Sequence, residues 1–123
     1  MKNSLTAVIY LQPDQIFLRI IELPSLEVVN DVRSGLFAIG EGNKTANYRK
    51  NMAAITDNIE GFKELISDYQ VDDIKFYGAY EDMDSVTASY VGDQLKGRTG
   101  LKIEWLNNNQ LMAQSMSYIV DQL

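Results

Sequence analysis

The chain has 123 residues, one domain by length, and 46% of them are hydrophobic, enough to build a core rather than stay disordered. Its formal net charge of -6 disfavours a free-standing nucleic-acid binder, because that affinity rests on cations that neutralise phosphates. With neither cysteine nor histidine the chain has no disulfide, thiolate nucleophile, Cys/His zinc site or imidazole-based triad, which leaves chemistry to carboxylate, lysine, tyrosine, serine and threonine groups.

The N-terminal apolar run is interrupted by Pro13, Asp14 and Arg19, so neither a signal peptide nor a membrane span is expected, and a cytoplasmic protein is. Leu5 to Leu11 is continuously apolar apart from Thr6, the pattern of a strand buried on both faces, and Ile16 to Leu23 is a second. Between them Gln12-Pro13-Asp14-Gln15 reads as a tight turn. A third strand, Leu26 to Val32, follows Pro24-Ser25 and completes an antiparallel meander, with a short edge able to pair between copies.

A polar segment, Gly40 to Lys44, leads to a helix with Thr45 as its expected N-cap. Tyr48, Met52, Ile55, Ile59, Phe62 and Ile66 recur along it at spacings of three and four, which places them on one face. Ile74 to Tyr77 is predicted as a fourth strand, Asp84 to Lys96 as a second helix, Leu101 to Leu106 as a fifth strand, and roughly Asn109 to Leu123 as a last helix. The order βββαβαβα predicts a single α/β domain over residues 1–123, a mixed five-stranded sheet with helices on its faces and the later strands parallel to the first.

Several stretches carry a resemblance in their order and spacing: "AVIYLQPDQIFLRIIEL", "VRSGLFAIGEG", "FKELISDYQVDDIKFYGAY" and "GLKIEWLNNNQLMAQSMSYIV". Together they resemble the N-terminal domain of the exopolyphosphatase/guanosine pentaphosphate phosphatase (Ppx/GppA) family. The resemblance implies a ribonuclease H-like domain of the actin-like ATPase superfamily. It also implies that the chain reaches Leu123 about where the family crosses into its second domain.

In that family an Asp and a Gly-Ser-Asn-Ser turn hold metal and phosphate, the turn through backbone amides that small residues leave accessible. By the resemblance Tyr10 stands in place of the Asp, and Gln12, Pro13, Asp14 and Gln15 replace the turn. Pro13 removes an amide donor and Asp14 adds negative charge where an anion belongs. A second landmark, a Thr-containing turn ending in a phosphate-binding arginine, corresponds to Tyr77 through Asp82, with Asp82 near the arginine position. The third, a run of glutamates supplying the catalytic base, corresponds to Asn107-Asn108-Asn109-Gln110, and Gln110 cannot accept and return a proton as a carboxylate does.

All three changes point away from phosphate chemistry, and no catalytic, cofactor or metal residue is expected. The resulting expectation is a stand-alone, non-catalytic domain acting through protein contact, as a homodimer or on a full-length phosphatase paralogue, with no nucleic-acid or membrane partner. Met112, Met116, Ile119 and Leu123 form an apolar face on the last helix, which in the family lies near the second domain, so they are a candidate interface. Two rivals remain: half of a phosphohydrolase whose second domain is missing or supplied by another chain, and a non-hydrolysing sensor of phosphate compounds using Lys2, Arg19, Arg33, Lys44 and Arg49.

Other motifs read more plainly as structure. Asp82-Met83-Asp84-Ser85-Val86 resembles an aspartyl-phosphate motif but fits a helix cap at Asp84 or Ser85, and Glu81, Asp82 and Asp84 fit a solvated acidic cluster rather than a magnesium site. Gly35, Gly40 and Gly42 match turns rather than a phosphate loop. Tyr77, Tyr80, Tyr90 and Trp105, without interleaved cations, are expected to pack the sheet.

Overall fold

The computed structural model describes residues 4–12, 15–36, 48, 50–79 and 85–106. Five strands form one sheet: β1 (Ser4–Gln12), β2 (Gln15–Leu23), β3 (Glu27–Gly35), β4 (Asp73–Ala79) and β5 (Glu104–Leu106). Two helices, α1 (Met52–Tyr69) and α2 (Ser85–Thr99), complete the described elements. The strand order is β3-β2-β1-β4-β5. β1 pairs antiparallel with β2, and β2 with β3, while β4 runs parallel to β1 and β5 parallel to β4. This is the meander with parallel later strands that the sequence predicts, and the expected last helix lies outside the described residues.

The two apolar runs are continuous because the sheet is buried on both faces. Ala7, Ile9 and Leu11 of β1 and Ile16, Leu18 and Ile20 of β2 line one face, where they meet Met52, Ile55, Ile59, Phe62 and Ile66 of α1. Ala88, Val91 and Leu95 of α2 join the same cluster. The alternate residues Val8, Tyr10, Phe17 and Ile21 form a second cluster with Tyr77 and Leu106 on the other face. Neither α1 nor α2 contributes to it. Burying each such side chain contributes about 1.5–3 kcal/mol relative to leaving it exposed.

Several boundaries differ from expectation, β4 among them, which spans Asp73–Ala79 rather than Ile74 to Tyr77. Leu26 is not the start of β3 but a turn residue at φ 62°, 45% exposed, whose N–H donates to the Glu22 carbonyl at 2.8 Å. β3 instead runs on through Arg33, Ser34 and Gly35, held by the ladder from Phe17 to Arg33 and from Gln15 to Gly35. α2 continues past Lys96 to Thr99, and Gly100, at φ 79°, stops it in the left-handed conformation that glycine adopts without strain.

β5 begins at Glu104, not Leu101. The segment leaving α2 is tied down locally: Thr99 Oγ1 donates to the Leu95 carbonyl at 2.6 Å, and Lys63 Nζ donates to the Thr99 carbonyl at 2.9 Å. Ile103 therefore reaches the core without joining the ladder. Thr45, the expected N-cap, lies outside the described residues; α1 starts after Asn51, which makes no side-chain capping bond.

Gly78 has a packing role. A Cβ there would lie 2.5 Å from Ile103 Cδ1 and 2.6 Å from the Trp105 ring, so only glycine lets those two side chains close over β4. Trp105 is fixed further by donating Nε1–H to the Ala88 carbonyl at 3.2 Å and by an edge contact with Tyr48, ring centroids 5.3 Å apart.

Candidate functional site

Open α/β sheets bind ligands beyond the carboxyl ends of their parallel strands. Here those ends belong to β1, β4 and β5, with β1 and β4 aligned so that Tyr10 lies opposite Tyr77 and Leu11 opposite Gly78. On its other side Tyr10 faces Phe17, and Gln12 faces Gln15 as the closing pair of the hairpin. Gln15 Nε2 donates to Gln12 Oε1 across that pair. The hairpin expected from the sequence is therefore formed, although Pro13 and Asp14 themselves lie outside the described residues.

Tyr10 is 3% exposed, and its ring stacks on Phe17 at 5.5 Å between centroids and an interplanar angle of 23°. Tyr77 is buried beside it, and Val8, Ile21 and Leu106 complete the surroundings. The end of β1 thus carries an apolar aromatic cluster. Tyr10 therefore supplies no carboxylate to a divalent cation, which binds carboxylates and other hard oxygen donors. The remaining positions singled out by the resemblance, Asp82 and Gln110, lie outside the described residues, as do Tyr80, Glu81 and Asp84 and the candidate interface Met112, Met116, Ile119 and Leu123.

Of the five candidate cations, Arg19 and Arg33 are described, and they converge on Asp31 rather than on open space. Arg19, 1% exposed, donates from Nη2 to Asp31 Oδ2 at 2.8 Å; Arg33 Nη2 lies 3.8 Å from the same oxygen. Both guanidinium carbons sit over the Phe17 ring, at 5.6 Å for Arg19 and 5.3 Å for Arg33. A charge buried this deeply requires a partner, and Asp31 supplies it. Sequence reasoning missed this pairing. Its signal was an arginine inside an apolar strand with an acid twelve residues on, directly opposite in the next strand of the meander.

Two clefts are formed by described residues, and one of them reaches Tyr77. One, of about 500 Å³, opens along β4 from Ile74 to Tyr77 beside Lys102 and Glu104; the other, of about 250 Å³, lies between α2 and Trp105. Neither includes Tyr10, Gln12 or Gln15. Trp105 and Tyr77 pack on the sheet as expected, whereas Tyr90 sits on α2 and is 44% exposed. Gly35 ends β3 rather than opening a phosphate loop. Among the described residues no helix is long and apolar enough to cross a membrane.

No family model matches the sequence, and no curated protein matches it either. Solved structures do match the fold. A Ppx/GppA family member from Aquifex aeolicus superposes with a TM-score of 0.72 at 14% identity, over 95% of this chain and 40% of its own. An exopolyphosphatase from Cytophaga hutchinsonii matches with a TM-score of 0.62 at 12% identity, over 88% of this chain and 35% of its own. RuvC from T. thermophilus, solved with a Holliday junction substrate, matches more distantly, with a TM-score of 0.50 at 9% identity over 89% of this chain and 68% of its own. The chain spans well under half the length of the Ppx/GppA structures it matches. It has the fold of their N-terminal domain, as the resemblance implied.

Proposed function

We propose that this chain is a degenerate Ppx/GppA-like domain that does not itself cleave phosphoanhydrides and acts by protein contact in polyphosphate or guanosine pentaphosphate metabolism. The observation that carries the proposal is the position of Tyr10, buried and stacked on Phe17 at the strand end where the resemblance places a metal-binding carboxylate. Gln12 and Gln15, hydrogen-bonded to each other across the hairpin, add to it, since the family's glycine and serines there keep backbone amides open to phosphate. Gln110 in place of a glutamate supports the reading from the sequence alone.

A second reading is equally consistent with the fold match: half of an exopolyphosphatase-type hydrolase whose second domain is missing or supplied by another chain. One assay separates the two. Phosphate release from short polyphosphate with magnesium is measured for the purified chain alone and mixed with the isolated second half of a full-length exopolyphosphatase. No release above background in either sample is the expected result. Release only from the mixture would establish the half-enzyme, and release by the chain alone would overturn the non-catalytic reading outright.

A further inference from the structure

The smaller cleft, of about 250 Å³ between α2 and Trp105, has two chemically different ends. Its apolar end is made by Ala88, Ile103 and the Trp105 indole, which donates Nε1–H to the Ala88 carbonyl and so lies against the first half of α2. About two turns further along the helix Lys96 lines the cleft, joined there by Lys102 from the segment after Gly100. Both lysines are exposed, and among the described residues neither has a hydrogen-bond or ion-pair partner.

Gly92 lies between the two ends. A glycine inside a helix is destabilising relative to alanine. Neither a positive φ nor a close approach requires one here: a Cβ would lie 3.5 Å from Ile103 Cγ2 and 3.7 Å from Trp105 Nε1, ordinary contact distances. What the missing side chain leaves is the space of the cleft.

We propose that this cleft binds a small organic anion, a carboxylate or phosphate ester whose ring-sized apolar body lies against Trp105 and Ile103 and whose charge lies between Lys96 and Lys102. The volume fits that class, because a cavity of about 150 Å³ holds a benzene ring and the remainder has room for one anionic group. Asp93 also lines the cleft; it offsets one of the two lysine charges and leaves the other to attract the anion. Since the ammonium groups are solvated, the charge contributes modestly, and affinity is expected on the order of millimolar. The site does not include Tyr10, Gln12 or Gln15, so the outcome of the phosphate-release assay leaves it untouched.

Trp105 is the single tryptophan of the chain, so its fluorescence reports occupancy directly. Benzoate and phenyl phosphate are the probes, with benzyl alcohol presenting the ring alone and inorganic phosphate the charge alone. The ring-bearing anions are expected to change the emission saturably, and each control to bind roughly three- to tenfold more weakly. A response to benzoate alone assigns a carboxylate ligand, and a response to phenyl phosphate alone assigns a phosphate ester. Lys96→Gln combined with Lys102→Gln is expected to weaken the anions by the same factor and to leave benzyl alcohol unchanged. Gly92→Leu fills the cleft and is expected to abolish the response while unfolding at a higher urea concentration, because leucine favours a helix more than glycine does. Should that variant fail to fold, the exposed lysine pair decides. No saturable response to either ring-bearing anion overturns the proposal, as does a response that inorganic phosphate matches or that the lysine pair leaves unchanged.

Discussion

Tyr10→Asp, which puts a carboxylate where the resemblance expects one, is expected to destabilise the domain by more than about 4 kcal/mol and to leave it largely unfolded. Removing a buried aromatic side chain costs about 3–5 kcal/mol through lost burial and the cavity left behind. The new carboxylate would also be buried in a cluster of Phe17, Val8, Ile21, Tyr77 and Leu106, where burial opposes ionisation and the guanidiniums over Phe17 are already paired with Asp31. Tyr10→Phe keeps the ring stacked on Phe17 and is expected to lie within about 1 kcal/mol of wild type. Urea unfolding of the two variants measures the difference. A stable Tyr10→Asp chain that gains further stability from magnesium would show that this strand end still has the shape of a metal site.

Asp31→Asn is expected to cost roughly 2–3 kcal/mol, although the change is nearly isosteric. Breaking a buried ion pair typically costs about 3–5 kcal/mol, because the surviving charge keeps its desolvation penalty. Asp31 is about one-third exposed, so water offsets part of that penalty, while Arg19 at 1% exposure receives little of the relief. Two arginines then share the Phe17 ring without the Asp31 carboxylate. The double variant Arg19→Met with Asp31→Asn removes both sides of the pair and is expected to lose clearly less than the sum of the single losses. Additive losses, or an Asp31→Asn change within about 0.5 kcal/mol, would mean that Arg19 is held by its other contacts.

The parts of the fold that rest on periodicity are legible in the sequence. Two uninterrupted apolar runs require a sheet covered on both faces, and the spacing from Met52 to Ile66 requires one buried helix face; both are present. The parts that rest on long-range pairing are not. Ser34 and Gly35 look like loop residues, and only their ladder with β2 makes them strand. Leu101-Lys102-Ile103 alternates as a strand should, but bonds at Thr99 fix the chain before it can pair with β4. Leu26 is apolar and still belongs to a turn, because its N–H closes back on Glu22.

The same division holds at the candidate site. That Tyr10 stands where the resemblance places an Asp can be read from the sequence, but its stacking on Phe17 depends on the β1–β2 register. Arg19 and Arg33 look in sequence like cations available to phosphate. Opposite Asp31 and over Phe17 they become part of the fold, a role that requires knowing which residue faces which across β2 and β3.

The most direct test of a strand end closed to phosphate is an amide NMR titration of the wild-type chain with magnesium and pyrophosphate, following Leu11, Gln12, Gln15, Ile16 and Gly78. A phosphate cradle donates backbone N–H groups, so occupancy would shift those resonances first. With Tyr10 packed on Phe17 and Gln12 joined to Gln15, they are expected to stay unmoved up to millimolar ligand. Saturable shifts confined to these residues would contradict that expectation and mean that the altered hairpin still holds phosphate.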